Sequence, residues 1–153
     1  MFCSQLLVSQ KLSSSEPKKI SKQQLRSAES GAIRAVQEYI TALNDADHNT
    51  LFEKLHIPHI RIAGERVTIY QTRKELEEKY LQGFRDRAGA SWKYTVIDSV
   101  EVIHGSEKKV HLFIQWTRYD KNERPITTQQ ALWIMRKIDG NWGAQARSSF
   151  APE

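Results

Sequence analysis

A chain of 153 residues with 39% hydrophobic and 27% charged side chains has the size of one domain and the apolar content for one core, which excludes a second large domain and a wholly disordered chain. Its formal charge of +5 does not mark a nucleic-acid surface: up to Ser30, five cations (Lys11, Lys18, Lys19, Lys22, Arg26) face two anions (Glu16, Glu29), and the rest of the chain intersperses both signs. The longest apolar stretches, such as Ala131 to Met135, fall far short of the ~20 residues of a membrane helix, so a cytoplasmic protein with no membrane partner is expected.

Residues 1–27 are rich in Ser, Gln and Lys, contain Pro17, and read as a flexible N-terminal extension. Cys3 has no second cysteine to pair with and reads as incidental. From Ala28 the pattern becomes helical, with Ile33, Val36, Ile40 and Leu43 forming one stripe and Tyr39 beside it. Asp47 and Asn49 offer caps for a second helix carrying Leu51, Phe52 and Leu55, stopped by Pro58. The alternation of His59 to Ile62 and of Val67 to Tyr70 around Ala63-Gly64-Glu65-Arg66 predicts a hairpin. Thr72 and Glu75 then make a capping-box pattern for a third helix, with Leu76, Tyr80 and Phe84 on one face and Gly89 past its end.

Beyond Gly89 the alternation predicts four strands, Trp92 to Ile103, Lys109 to Tyr119, Thr127 to Ile138 and Trp142 to Ser149, joined by turn-like segments into an antiparallel meander. On the third of these, Leu132 and Ile134 hold one parity and Ala131, Trp133 and Met135 the other. One helix layer covers only one face of a sheet, so a homodimer is expected, with Trp133 and Met135 as the partner-facing residues.

This order of elements resembles the nuclear transport factor 2-like superfamily over Ile33 to Phe150. Ala35-Val36-Gln37-Glu38-Tyr39-Ile40-Thr41-Ala42-Leu43-Asn44, with Asp47 following, is similar to the first helix of steroid isomerases. The segment from Leu132 through Asp139-Gly140-Asn141 to Trp142 resembles the penultimate hairpin of scytalone dehydratase and many SnoaL-like proteins. The resemblance implies an α+β fold over residues 28–153, a conical barrel of N-terminal helices packed on a curled, mostly antiparallel sheet around a cavity. Members of that superfamily isomerise, dehydrate, cyclise or only bind, so the fold leaves the function open.

Tyr39 matches the isomerases' helix tyrosine, whose phenol can donate to a developing enolate oxygen. The family's catalytic aspartate falls near Ala63 and its buried acid near Leu132 to Ile134, and neither carboxyl group is present here. The strand histidines of the dehydratase pattern are replaced by Phe113-Ile114-Gln115, with His111 displaced. His56 and His59 are close enough for a metal pair, but Pro58 separates them and no third ligand has a fitting spacing, so no metal is expected. His59 is instead expected at the mouth of the pocket. Asp98 is the remaining internal carboxylate and, with Tyr39 and His59, a catalytic candidate. Arg61, Trp116 and Arg147 complete the candidate ligand contacts, because an arginine in an apolar cavity offers a fork of donors. Tyr70, Trp92, Arg118 and Gln129 are further polar or aromatic candidates, and parity leaves open which sheet face carries Trp116 and Arg118. No cofactor motif is present. The leading expectation is a domain that binds an apolar or aromatic small molecule. An isomerase, dehydratase or polyketide-cyclase-type enzyme and a dimeric interaction protein with a vestigial pocket are the alternatives.

Overall fold

The computed structural model describes residues 20–151; Cys3 and most of the expected extension lie outside them. Helix α1 (Lys22–Asn44) starts ahead of Ala28, because Ser21 caps it: Gln24 donates its amide to Ser21 Oγ at 3.1 Å, and the Ser21 amide donates to Gln24 Oε1 at 3.0 Å. This reciprocal pair satisfies two otherwise unpaired donors, a local signal that apolar periodicity misses. The buried face of α1 is finer-grained than its large residues suggest. Ala28, Ala32, Ala35 and Ala42 are buried beside Val36, Tyr39, Ile40 and Leu43, whereas Ile33 is only half-buried. Small residues bring the helix axis close to its neighbours. At Gly31 the approach is closest, since a Cβ there would lie 2.5 Å from Trp142 Nε1.

Helix α2 (His48–Glu53) is capped by Asp47, whose Oδ1 accepts from the Thr50 amide at 3.2 Å. It ends before Leu55, contrary to the expectation that Leu55 is helical. Leu55 instead opens strand β1 (Leu55–Ala63), in register with Ala144 of a distant strand. Strand β2 (Arg66–Tyr70) pairs back on β1 through the expected turn. Helix α3 (Arg73–Ala88) has Thr72 Oγ1 accepting from the Glu75 amide at 3.1 Å, while Glu75 Oε2 accepts from Gln71 at 2.9 Å. Its buried residues are Leu76, Tyr80, Phe84 and Ala88, and Gly89 ends it at φ +82°.

Strands β3 (Tyr94–Gly105), β4 (Lys109–Tyr119), β5 (Pro125–Ile138) and β6 (Asn141–Ser149) form the expected antiparallel meander. Among the described residues the sheet has six strands in the order β2-β1-β6-β5-β4-β3 and does not close into a barrel. Its one parallel pairing, β1 with β6, makes the sheet mixed and joins the small hairpin to the meander. The helices cover one face of this α+β cone. On β5, Ala131, Trp133 and Met135 are buried on that face, and Leu132 and Ile134 lie half-buried on the other. The expected assignment is thus reversed: Trp133 and Met135 belong to the core, and Leu132 and Ile134 form the outward set. Among the described residues no helix is long and apolar enough to cross a membrane.

Candidate functional site

A cavity of about 320 Å³ lies between α1, α3 and the concave face of the sheet. Tyr39, Ile40 and Leu43 of α1 form one wall. Tyr80, Phe84 and Arg87 of α3 form a second, and Arg61, Trp116, Arg118, Gln129, Trp133 and Arg147 project from the strands. The end of α1 is fixed to the sheet by Asn44, which donates to the Thr95 carbonyl and accepts from the Thr95 amide, both at 2.8 Å. The wall bearing Tyr39 is therefore anchored by a side-chain amide paired with the backbone of β3.

Arg147 organises the floor. Its Nη1 donates to the Tyr39 hydroxyl at 3.1 Å and its Nε donates to His59 Nε2 at 3.2 Å. Its guanidinium carbon lies 5.4, 5.3 and 5.0 Å from the ring centres of Tyr39, Tyr80 and Trp133, within reach of cation–π attraction. The residue as a whole keeps some accessible surface at the cavity wall, but Nη2 is closed to solvent and has no hydrogen-bond partner. Burial opposes the charged state of Arg147; the phenols of Tyr80 and Tyr39 more than offset it and keep the guanidinium protonated. The Tyr39 and Tyr80 hydroxyls also hydrogen-bond each other. Burial, reinforced by Tyr80, holds Tyr39 well above the ordinary phenol range, so Tyr39 is neutral at physiological pH.

His59 is fully buried behind Arg147 and does not stand at the cavity mouth, which corrects the sequence expectation. It sits there because β1 runs beside β6, and its ring stacks on Tyr70 at 6.3 Å. Nδ1 donates to the Ala144 carbonyl at 3.1 Å, which leaves Nε2 free to accept from Arg147. Burial, then the charge of Arg147, lowers its pKa well below the usual imidazole value, so His59 is a neutral acceptor that orients the arginine. His56 points elsewhere: its Nε2 bonds to the Arg136 carbonyl at 3.0 Å. Among the described residues no group of three His, Cys, Asp or Glu side chains converges as metal ligands do.

Asp98 does not reach the cavity. Its exposed carboxylate accepts from Thr117 Oγ1 at 2.7 Å on the convex side, because a bulge between Ile97 and Ser99 shifts the register of β3. Trp116 and Arg118, whose face the sequence left open, both line the concave side. Arg118 lies 5.1 Å from the Phe84 ring centre and 4.7 Å from that of Trp116, donates Nη1 to the Arg87 carbonyl at 3.0 Å, and leaves Nε buried without a partner. Arg61 lines the cavity in register with Arg147, and burial with the nearby charges of Arg87 and Arg147 lowers its pKa to about 10.

Tyr80 and Arg87 are among the cavity residues that sequence reasoning missed as site residues. Tyr80 was visible only as the middle of the α3 stripe; a hydroxyl at the centre of an otherwise apolar stripe is the available signal. Arg87 lies three residues beyond Phe84, on nearly the same helical face.

Helices laid into a curled, open mixed sheet, with a cavity between them, define an NTF2-like α+β domain. Residues 28–145 match the family described as NTF2-like protein (DUF6841), and the chain belongs to that family. No sequence among the curated proteins matches it. Among solved structures, it is similar to an NTF2-like protein of unknown function from Pseudomonas putida, with a TM-score of 0.65 and 12% identity over 83% of this chain and 88% of that one. A protein of unknown function with a cystatin-like fold from Nostoc punctiforme superposes with a TM-score of 0.64 and 12% identity over 81% and 90%. A ketosteroid isomerase-like protein from Erwinia carotovora atroseptica superposes with a TM-score of 0.55 and 21% identity over 80% and 96%. These likenesses speak for the fold.

Proposed function

We propose that this NTF2-like chain is a SnoaL-like small-molecule-binding domain whose ligand enters the cavity between α1, α3 and the sheet. The observation that carries this reading is the cavity itself. At about 320 Å³ it is within the size range of small-ligand pockets, and it combines the aromatic walls of Trp116, Trp133, Tyr39, Tyr80 and Phe84 with a few polar groups. An isomerase, dehydratase or cyclase needs a group that exchanges protons near neutral pH. His59 has both nitrogens engaged, Asp98 is on the far face, and the one acidic residue lining the cavity among the described residues, Asp86, is exposed and bonded to Gln82 at 2.7 Å. Binding without turnover is accordingly the favoured reading. Calorimetry with 2-acetylnaphthalene tests it, with Ala131→Trp as a variant that fills the cavity from a buried wall position. Binding to the parent and loss in Ala131→Trp is expected; equal binding by both would place the ligand elsewhere and overturn the proposal.

The outward sheet face favours a second copy of the chain as partner. Phe113 faces Leu132, Ile134 faces Ala146, and all four are half-buried on the side without helices. A homodimer through this face would remove that strip from water.

A further inference from the structure

The cavity has a charge that nothing in the described chain balances. Arg61, Arg87, Arg118 and Arg147 all line it, against one rim carboxylate among the described residues, that of Asp86. The ion pairs among the described residues are Lys54 with Glu38, Lys74 with Glu78 and Lys79 with Glu75, and none of them reaches a cavity arginine. Every hydrogen bond made by Arg147 and Arg118 goes to a neutral acceptor: a phenol, an imidazole or a carbonyl. Aromatic faces hold the two guanidinium planes in place, and Arg118 Nε and Arg147 Nη2 are left buried and unpartnered. These are half-buried cations of like sign: partial burial first, and the neighbouring guanidinium charges second, lower the pKa of Arg61 and Arg118, and an anion among them would relieve the repulsion.

We infer that the ligand is an aromatic organic anion, with its ring against Trp116 and Trp133 and its carboxylate or phosphate among Arg61, Arg118 and Arg147. Guanidinium forks already stacked on aromatic rings lose little freedom on binding and present their N–H edges to an oxyanion. A phenolic hydroxyl from Tyr39 or Tyr80 supplies a further donor after a small rotation of the pair.

The inference rests on the binding reading above, and the experiment separates the two. Binding of 2-naphthoate, 2-naphthyl phosphate and neutral 2-naphthamide to the full chain is measured by quenching of tryptophan fluorescence at two ionic strengths. At least one anion is expected to bind about tenfold or more tighter than the amide. Arg61→Met and Arg118→Met should each weaken that anion about fivefold or more while the amide changes less than about twofold. Lys108→Met, which removes an exposed cation away from the cavity, should leave all three unchanged. If the amide binds as well as both anions, or the arginine variants lose nothing, the anion assignment is wrong and the binding reading stands. If no naphthyl compound binds the parent, both fall. Loss on raising salt that is equal for the parent and for the arginine variants would identify nonspecific charge attraction and also overturn the assignment.

Discussion

Arg147 Nε donates to His59 Nε2 at 3.2 Å while His59 Nδ1 donates to the Ala144 carbonyl at 3.1 Å, so one imidazole bridges the cavity's central cation to the backbone of the same strand. The bridge works only with a neutral ring. A second proton on His59 would remove the acceptor and place two cations side by side.

That requirement makes stability pH-dependent. The folded-state pKa of His59 is depressed by burial first and by Arg147 second, and His56 is depressed in the same direction by burial. Below about pH 6.5 the unfolded chain takes up protons that the folded chain refuses, so stability falls as pH falls through that range. Urea melts at pH 7.5 and pH 5 should show this loss, and His59→Gln should make it shallower. An unchanged slope in His59→Gln would mean that His59 protonates freely in the fold.

Tyr39→Phe deletes a hydroxyl shared by Tyr80 and Arg147 and leaves both without that partner. The cost should be about 1–3 kcal/mol of folding stability, read from chemical denaturation at neutral pH. A loss below about 0.5 kcal/mol would indicate that water enters the cavity and replaces the phenol.

The reversal of faces on β5 changes which substitution tests the dimer. Ile134→Asp, on the outward strip, should yield a folded monomer by light scattering if the parent is dimeric. Trp133→Asp removes a buried aromatic side chain from the core and leaves a void in its place, and should destabilise the fold strongly. A parent that is already monomeric at micromolar concentration would reject the sheet-face interface.

Gly31→Ala should destabilise the protein by about 1–3 kcal/mol through overpacking, although alanine in a helix interior normally gains about 1 kcal/mol over glycine. The Trp142 indole, 2.5 Å from the position of the new Cβ, is the reason. The melting temperature of the single variant decides the sign.

Local patterns in the sequence carried most of the elements. The α3 boundaries followed from Thr72 and Gly89, and the last three strands from alternation and turns, because those signals are local. Leu55 was misread since its strand is created by pairing with Ala144, far along the chain. Alternation identified β5 but not its inward face; only the position of the helices decides that. Asp98 failed for a related reason, since a bulge of one extra residue breaks the parity that would have placed it. At the site, Tyr39 and Arg147 were visible as residue types at fitting positions. Their mutual contact depended on the packing of α1 against β6, and the burial of His59 behind it on the parallel pairing of β1 with β6, neither of which a motif encodes.

That pairing also orders the events of folding. The bond from His59 to Arg147 spans 88 residues, whereas the β4–β5 and β5–β6 hairpins close through short turns. Long-range closure pays its entropy before any contact rewards it, so the meander should form first and β1 should dock on it late. Substitutions at Arg61 and His59 are then expected to accelerate unfolding with little effect on the refolding rate, and φ-values near zero there, against high values in the β4–β5 hairpin, are the signature to look for. A ligand held across this last-formed seam would act as a kinetic clasp, lengthening the lifetime of the folded state more than it speeds its formation.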